Sequence, residues 1–337
     1  MIKENNTSIS ICILRLSSIG DITHIIPIIS TIRNVYPQSK ISWVIGKTEY
    51  QLVKKIKDIE FVVVDKSKTF DSIVELRSLF KTNKFDVVLH MQKSLRSKLI
   101  SKVISGRVNV TFNDIDTSQS HVIDHFFGFL EKINIEKKIL DWQCKSILSD
   151  NEVFIKKNKL MQLQPFIAIN PFTSIRSNNF REWNYDNFAT ISEYCKNQFS
   201  INTIILGKTN HDRAEKLRAC FTPNSGTVDL INKTSLSEML TVLSLGKLYI
   251  GPDSGTLHMA RMVDIPIIGL YATSNPLRTG PYQKMEYVIN KYEEAVEKYL
   301  DIRDKSIKWG ERVRNADAMN LITINDVKDK IKKIVKE

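Results

Sequence analysis

The sequence has 337 residues, of which 42% are hydrophobic, so it suits two α/β domains with real cores and argues against extensive disorder. Its net charge of +12 favours an anionic partner such as nucleic acid, a phosphorylated sugar or an acidic membrane surface. It contains no run of about 18 apolar residues, and its first eight residues are too polar for a signal peptide, so we expect a cytoplasmic protein without a transmembrane span.

The first half of the chain alternates short apolar runs with helix-compatible segments. The predicted strands are residues 9–16, 41–45, 61–64, 85–89 and 108–112. The predicted helices are residues 22–36, 50–56, 72–80, 94–105 and 122–133. This alternation predicts a parallel, doubly wound sheet as the first domain. The cysteines are scattered without CxxC spacing, which argues against a disulfide framework or a zinc cluster.

The turn after the first strand, Ser17-Ser18-Ile19-Gly20-Asp21, stands where open α/β sheets bind ligands. Asp21 has two interpretations, a helix-capping residue or a general base that takes a proton from an attacking hydroxyl. His24 follows one turn later and either lines the same face or is a structural histidine. The turn lacks the GxGxxG pattern, so a dehydrogenase is weakly supported.

Two further groups in the first half carry polar side chains at helical spacing. The helix beginning near residue 94 is basic, and Lys93, Arg96 and Lys98 either form a solvated face or meet an acidic acceptor. His121 and His125 stand four residues apart without an HExxH pattern, so we predict no metal site there.

A second alternating series follows a weakly periodic link at residues 137–165. Its predicted strands are residues 166–170, 202–206, 228–230, 248–250, 265–271 and 286–291, and its predicted helices are residues 186–199, 211–219, 236–245, 256–262 and 321–336. We therefore predict a first domain over residues 1–160, a second over 161–320 and a C-terminal helix over 321–337. That helix either packs across the domains or binds a membrane through its Lys-rich face.

The stretch 248–271 reads as strand, turn, helix and strand, with Asp253, Ser254, Gly255 and Thr256 around the first helical turn. Free N–H groups and the positive end of the helix dipole make such a turn an anion site, and a diphosphate is the obvious anion. The alternative is an ordinary helix capped by Asp253 or Ser254.

Two other strand ends of the second domain also carry polar side chains. Thr173 and Ser174 offer hydroxyls, and Arg176 and Arg181 offer guanidiniums that match phosphate geometry; the alternative is a polar loop with solvated arginines. Asp212 follows another strand and either binds a ribose hydroxyl or supplies a helix N-terminal charge. A nucleoside diphosphate is the ligand that accounts for these strand ends together.

Two segments of the chain resemble a known family. The N-terminal LRLSSIGDITHIIPIISTIRNVYP resembles the K-x-S-S-x-G-D-V-x-H-x-x-P opening of the lipopolysaccharide heptosyltransferases, glycosyltransferase family 9, and GPDSGTLHMA resembles their D-[TS]-G-x-x-H-x-A motif. The terminal VRNADAMNLITINDV resembles most the branch that adds the first heptose to Kdo, heptosyltransferase I. The resemblance covers nearly the whole chain.

The resemblance implies a GT-B fold, in which two Rossmann-like doubly wound domains face each other across a cleft. It implies ADP-heptose as the donor, Kdo-lipid A as the acceptor, inversion at the anomeric carbon, and neither a metal nor another cofactor. It implies Asp21 as the general base and Arg181, where the family commonly has Lys, as the group that neutralises the ADP leaving group. The implied donor-binding residues are Thr173, Ser174, Asp212, Asp253, Ser254, Gly255, Thr256 and His258. With the acceptor in the first domain, the acceptor-binding residues would be Ser18, Gly20, His24, Lys93, Arg96 and Lys98.

The resemblance therefore places the protein in the cytoplasm, peripheral to the inner membrane. One alternative is a family-9 transferase that adds a later core heptose or another sugar. Another is a non-catalytic protein that binds nucleotide sugars. The basic residues are spread out and fit no nucleic-acid-binding motif, so we predict no nucleic-acid partner.

Overall fold

The computed structural model describes residues 8–81, 84–149, 151–175, 179–222, 226–302 and 307–336. The chain folds into two compact units, Met1–Ser149 and Asp150–Glu337. The division between the units thus lies earlier than the predicted boundary after residue 160.

The first unit is built on a five-stranded sheet with the strand order β3-β2-β1-β4-β5, in which all neighbouring strands run parallel. The strands are β1 (Ser10–Leu14), β2 (Lys40–Gly46), β3 (Ile59–Val64), β4 (Lys84–His90) and β5 (Ser105–Thr111). The helices are α1 (Ile19–Val35), α2 (Lys47–Val53), α3 (Thr69–Leu79), α4 (Leu95–Ser101), α5 (Val122–Glu131) and α6 (Cys144–Leu148), with a 3-10 turn at Phe112–Asp114.

Strand β1 is the centre of this sheet because its apolar side chains are covered on both faces. Cys12 and Leu14 share a core cluster with Leu76 of α3 and Ile100 of α4. Cys12 is fully buried and, like the other three cysteines, is a free thiol. The strand order reverses between β1 and β4, which makes the carboxyl end of β1 a switch point where ligands bind.

The second unit is built on a six-stranded sheet with the strand order β11-β10-β9-β6-β7-β8, again parallel throughout. The strands are β6 (Phe166–Ile169), β7 (Asn202–Ile205), β8 (Thr227–Asp229), β9 (Leu248–Pro252), β10 (Ile267–Tyr271) and β11 (Ile289–Asn290). The helices are α7 (Glu152–Lys157), α8 (Tyr185–Phe199), α9 (His211–Cys220), α10 (Leu236–Leu245), α11 (Gly255–Met262), α12 (Pro276–Thr279), α13 (Tyr292–Leu300) and α14 (Ile324–Lys336), with a 3-10 turn at Ala318–Leu321. The prediction of two parallel, doubly wound sheets is therefore confirmed.

The sequence prediction missed four helices. The segment 137–165, predicted as a link, contains α6 and α7, and the helices α12 and α13 were not predicted. Three of these helices have six residues or fewer, too short to show a helical period. The fourth, α13, buries Tyr292, Ala295 and Val296, and this i, i+3, i+4 pattern was a usable signal.

The C-terminal helix α14 packs into the core of the second unit. Val327, Ile331 and Ile334 are buried there and share one cluster with Phe188 and Ile191 of α8. The apolar face of α14 therefore packs within the second unit, whereas packing across the domains was predicted, and it is not available to a membrane. None of the helices in the described ranges combines the length and the apolar character needed to cross a bilayer.

Replacing Ile331 by Ala is expected to lower the free energy of unfolding by about 2–5 kcal/mol, because the residue is fully buried and its removal leaves a cavity. Urea denaturation followed by circular dichroism measures this change. Lys333→Ala, at an exposed position of the same helix, is the control and is expected to stay within about 0.5 kcal/mol. Equal unfolding midpoints for the two variants would contradict the packing of α14.

Candidate active site

Asp21 lies in the first turn of α1, directly after the carboxyl end of β1. Helix α1 begins at Ile19 rather than at the predicted residue 22, because Ser18 is its N-cap. The Ser18 backbone N–H and Oγ both donate to Asp21 Oδ2, at 3.1 and 2.9 Å. The capping interpretation of Asp21 is therefore confirmed, and Gly20 is buried in the same turn.

Arg15 is a partner of Asp21 that the sequence did not single out. Its Nη2 lies 2.5 Å from Asp21 Oδ2, and its Nη1 donates to the backbone oxygen of Met91. The guanidinium lies 5.2 Å from the centroid of the Phe126 ring, and Arg15 is buried. A planar guanidinium held at these points fixes the orientation of the Asp21 carboxylate.

The two oxygens of Asp21 differ in their surroundings. All of the contacts that Asp21 makes within the described ranges fall on Oδ2. The side chain keeps 25% of its surface exposed. The carboxylate is therefore held by one oxygen and presents the other, Oδ1, for a proton acceptor role, so capping and base catalysis are compatible.

The loop that precedes α4 contacts the same turn. The Gln92 side chain accepts from the Leu16 backbone N–H at 2.7 Å and donates to Ser17 Oγ at 3.3 Å. Lys93, the next residue, is exposed, and its Nζ lies 4.9 Å from the centroid of the Phe112 ring. The sequence-predicted acceptor residue Lys98 is exposed, and Arg96 is half-buried on the same helix.

His24 is buried rather than displayed on the surface. Its ring packs against those of His121, at 5.9 Å between centroids, and Phe126, at 6.3 Å. His121 is the N-cap of α5, where its Nδ1 accepts from the Ile123 N–H at 3.1 Å. The described ranges contain no group of three His, Cys, Asp or Glu side chains placed to hold a metal ion.

In the second unit, Arg181 joins two of the strand ends predicted to bind an anion. Its Nη1 donates to the Asp253 backbone oxygen at 2.8 Å, and its Nη2 lies 3.4 Å from Ser174 Oγ. Its Nε donates to Asn179 Oδ1 at 3.1 Å. Arg181 is thus bound at the sheet edge and is not the solvated arginine of the alternative reading, whereas Arg176 lies outside the described residues.

Thr173 is held by a carboxylate that the sequence analysis overlooked. Its N–H and Oγ1 donate to Glu182 Oε1 at 2.6 and 2.9 Å, and Arg213 donates to the same oxygen. Tyr185 donates to the other oxygen of Glu182 at 3.1 Å. Burial acts to lower the pKa of Arg213, but its hydrogen bonds with Glu182 and Tyr185 raise that pKa overall.

The turn before α11 combines a buried carboxylate with a helix N-terminus. Asp253 is buried, and its Oδ2 accepts from Ser274 Oγ at 2.9 Å and lies 3.7 Å from Arg181 Nη1. Ser254 occupies the N-cap position and Gly255 is the first residue of the helix, but the Ser254 side chain makes no capping hydrogen bond. The N-terminal N–H groups and the Arg181 guanidinium are the positive groups at this edge, and the Asp253 carboxylate lies beside the guanidinium.

The remaining predicted donor residues have different surroundings. Thr256 is buried, and its Oγ1 accepts from Asn170 Nδ2 at 2.7 Å, so this hydroxyl ties α11 to the end of β6. His258 is buried one turn after Ser254. Asp212 is exposed in the first turn of α9, and the neighbouring Arg213 makes the contacts to Glu182 instead.

Gly207, after β7, allows the Asn170 side chain to lie close to the backbone. Its φ of +126° is one that side-chain-bearing residues rarely adopt, and an added Cβ would lie 2.5 Å from Asn170 Oδ1. Asn170 follows directly after β6, and Gly207 is the second residue after β7. Their position at the carboxyl ends of buried strands is the signal that identifies them.

Comparisons with known proteins place the chain in a family and match its architecture. The family model described as glycosyltransferase family 9 (heptosyltransferase) matches residues 73–309. The lipopolysaccharide core heptosyltransferase OpsX of Haemophilus influenzae is 29% identical, with 96% of each chain covered.

Two solved structures share the fold. The family 9 glycosyl transferase of Veillonella parvula superposes with a TM-score of 0.76 at 19% identity, covering 97% of each chain. The Escherichia coli heptosyltransferase WaaC, determined with ADP-2-deoxy-2-fluoro heptose, gives a TM-score of 0.70 at 15% identity, covering 96% of this chain and 99% of that one. These likenesses show that the two doubly wound units form a GT-B fold.

Proposed function

Because this chain belongs to glycosyltransferase family 9, the family of the heptosyltransferases, we propose that it is an inverting enzyme of lipopolysaccharide inner-core biosynthesis. Its donor is ADP-heptose, and its acceptor is a Kdo hydroxyl of Kdo-lipid A. The observation that carries the proposal is the Asp21 carboxylate, fixed through Oδ2 by Arg15 and Ser18 at the switch point of the first sheet.

Asp21 is the general base in this proposal. Inversion by a single displacement needs one base that removes the proton of the attacking hydroxyl as the bond to the anomeric carbon forms. Oδ1 of Asp21 is the atom that accepts this proton, because Oδ2 is occupied by the cation and the N-cap donors. Arg15 acts through Asp21 and is a positioning residue.

Arg181 stabilises the leaving group. Breaking the bond between the anomeric carbon and the diphosphate leaves negative charge on ADP, and a guanidinium placed beforehand at that charge lowers the barrier. Arg181 is fixed beside Ser174 and Asp253, at the N-terminus of α11. The proposed donor site also includes Thr173, Ser254, Gly255, Thr256 and His258, and the reaction is proposed to need no metal ion.

The acceptor is proposed to bind the first unit, where Gln92, in the loop before the basic helix α4, contacts the Asp21 loop. Lys93, Arg96 and Lys98 supply positive charge for the phosphates and carboxylates of such a lipid. The enzyme therefore works in the cytoplasm at the inner face of the membrane.

Transfer to a later core heptose is the second candidate, because the name of the relative OpsX specifies a core heptosyltransferase without specifying the acceptor. The two candidates share donor, base and leaving-group chemistry and differ only in the acceptor sugar. Membership of a transferase family supersedes the non-catalytic alternative.

The test is to incubate the purified protein with ADP-heptose and Kdo-lipid A, measuring ADP release and the mass of the lipid. A gain of one heptose with matching ADP, unchanged by EDTA, is expected. A mass gain seen only with a lipid that already carries a heptose would assign the enzyme to the transfer of a later core heptose. Activity abolished by EDTA and restored by a divalent ion would overturn the metal-free mechanism.

Replacing Arg15 by Met is expected to lower kcat about tenfold to a hundredfold with little change in KM for the donor, because Asp21 loses the partner that orients it. Arg15→Lys is expected to restore most of the activity, since an ammonium keeps the charge beside the carboxylate. Steady-state kinetics measure both. Arg33→Met, in the last turn of the helix α1 that carries Asp21, is the control. A kcat for Arg15→Met equal to that of this control would contradict the positioning role.

A further inference from the structure

Helix α4 exposes two leucines on one face. Leu95 is 81% exposed and Leu99 is 45% exposed. They are four residues apart, so they lie one above the other on the helix surface, while Ser97 and Ile100 face the interior. Large apolar side chains exposed as neighbours mark an interaction surface more often than single ones do.

The charge around these leucines has one sign. Residues 91–107 include no Asp or Glu and five basic residues: Lys93, Arg96, Lys98, Lys102 and Arg107. Lys93, Lys98 and Lys102 are exposed next to the leucines in the chain. We call the set Lys93, Leu95, Arg96, Lys98, Leu99 and Lys102 the α4 surface.

The neighbouring helix α3 differs in this respect. It also exposes an apolar side chain, Val74, at 70%, but that residue stands beside the exposed acidic residues Asp71 and Glu75. An anionic partner would be attracted to α4 and repelled by this part of α3. Charge therefore favours the α4 surface over the exposed Val74 of α3 as the place where an anionic partner binds.

The α4 surface adjoins the Asp21 loop. Gln92, three residues before Leu95, bonds to Leu16 and Ser17 at the carboxyl end of β1. Ser97 of α4 is anchored to the end of β4 through His90 Nε2, at 3.0 Å from its Oγ. The surface is thus fixed on the sheet and lies beside the proposed base.

We propose that the α4 surface docks on a bilayer that contains anionic phospholipids. Leu95 and Leu99 enter the boundary between headgroups and acyl chains, and the lysines pair with lipid phosphates. The proposal rests on the proposed function in one respect, that the acceptor is a membrane lipid. Docking through α4 would bring headgroup sugars to the Asp21 loop without extracting the acceptor from the membrane.

A bilayer fits this surface better than a second copy of the chain. A stable protein interface buries about 800 Å² on each partner, with few charges at its centre. The α4 surface offers two leucines on a helix of seven residues, surrounded by cations. Small apolar area combined with dense positive charge is the combination that anionic membranes bind.

The test is co-sedimentation of the full chain with vesicles of phosphatidylcholine alone or with 30% phosphatidylglycerol, in the absence of donor and acceptor. We expect binding to the anionic vesicles only, weakened by high salt. The double variant Leu95→Gln/Leu99→Gln is expected to bind about tenfold or more weakly, and Lys102→Gln about fivefold. Because no substrate is present, this experiment can fail while the transferase assay succeeds, and the reverse.

The matched control is Val74→Gln/Val153→Gln, which removes two apolar side chains that are 70% and 78% exposed outside α4. It is expected to bind within about twofold of the parent chain. Equal loss in the two double variants, or equal binding to neutral vesicles, would overturn the proposal. Light scattering that finds a dimer in the parent and a monomer in Leu95→Gln/Leu99→Gln, with vesicle binding unchanged, would assign the surface to self-association instead.

Discussion

Replacing Asp21 by Asn is expected to lower kcat by about 10²–10⁴-fold, which is the contribution of a positioned general base. Asn has nearly the same shape as Asp, and its amide oxygen can still accept the Ser18 N–H that now reaches the carboxylate. The amide cannot take a proton, so the attacking hydroxyl stays protonated. ADP release under saturating donor and acceptor measures the change, and calorimetry with ADP is expected to give an unchanged Kd.

Ser18→Ala separates the capping role of Asp21 from its chemical role. It removes the hydroxyl that donates to Asp21 Oδ2 at 2.9 Å and leaves the carboxylate in place. We expect this variant to lose about 1 kcal/mol of stability and to keep kcat within about tenfold of the parent. If the kcat of Asp21→Asn were no lower than the kcat of Ser18→Ala, Asp21 would act only as a capping residue and not as the general base.

Replacing Arg181 by Met is expected to lower kcat by about 10²–10³-fold, the loss typical of removing one preorganised group that stabilises developing charge. The side chain bonds to the Asp253 backbone oxygen and lies beside Ser174, so its removal also leaves the buried Asp253 carboxylate without a neighbouring cation. Arg181→Lys is expected to recover part of the rate, because the ammonium supplies charge but not the guanidinium fork. Single-turnover measurements isolate this step from product release.

Arg218→Met is the control for Arg181. Arg218 pairs with Glu215 and Asp229, away from the Arg181 contacts, and its loss is expected to change kcat by less than about twofold. If Arg181→Met turned over as fast as this control, the leaving group would need another source of positive charge. Arg213 beside Thr173 would then be the residue to test.

Local patterns were sufficient to predict most of the fold. Helix α10 has its predicted bounds, with a capping box of Ser235 and Glu238 at its start and Gly246 as its C-cap. The central strands were found because strands buried on both faces are continuously apolar. Helices α6, α7 and α12 were missed because a helix of one turn has no period to detect.

The sequence predicted which site residues lie at strand ends. It did not predict which side chains those residues pair with. Parallel strands end at one edge, so Ser174 and Asp253 were expected to meet, and Arg181 joins them. Arg15 reads as part of an apolar strand, and its pairing with Asp21 depends on how the strand turns into α1. Asp212 was singled out in α9, but the residue that contacts Glu182 is the neighbouring Arg213, and the sequence alone does not give the orientation of that helix.

The position of β1 and β6 inside their sheets has a consequence for synthesis on the ribosome. Strand β1 is made first but is paired on both sides, and its partner β4 is not translated until residues 84–90. In the second unit, the partner β9 of strand β6 is likewise not translated until residues 248–252. Each nascent unit therefore carries a largely apolar strand with one edge unpaired until more than half of its sequence has been made, a state that favours aggregation and chaperone binding. The units are consecutive in the chain, so the first can close its sheet before the second exposes its own.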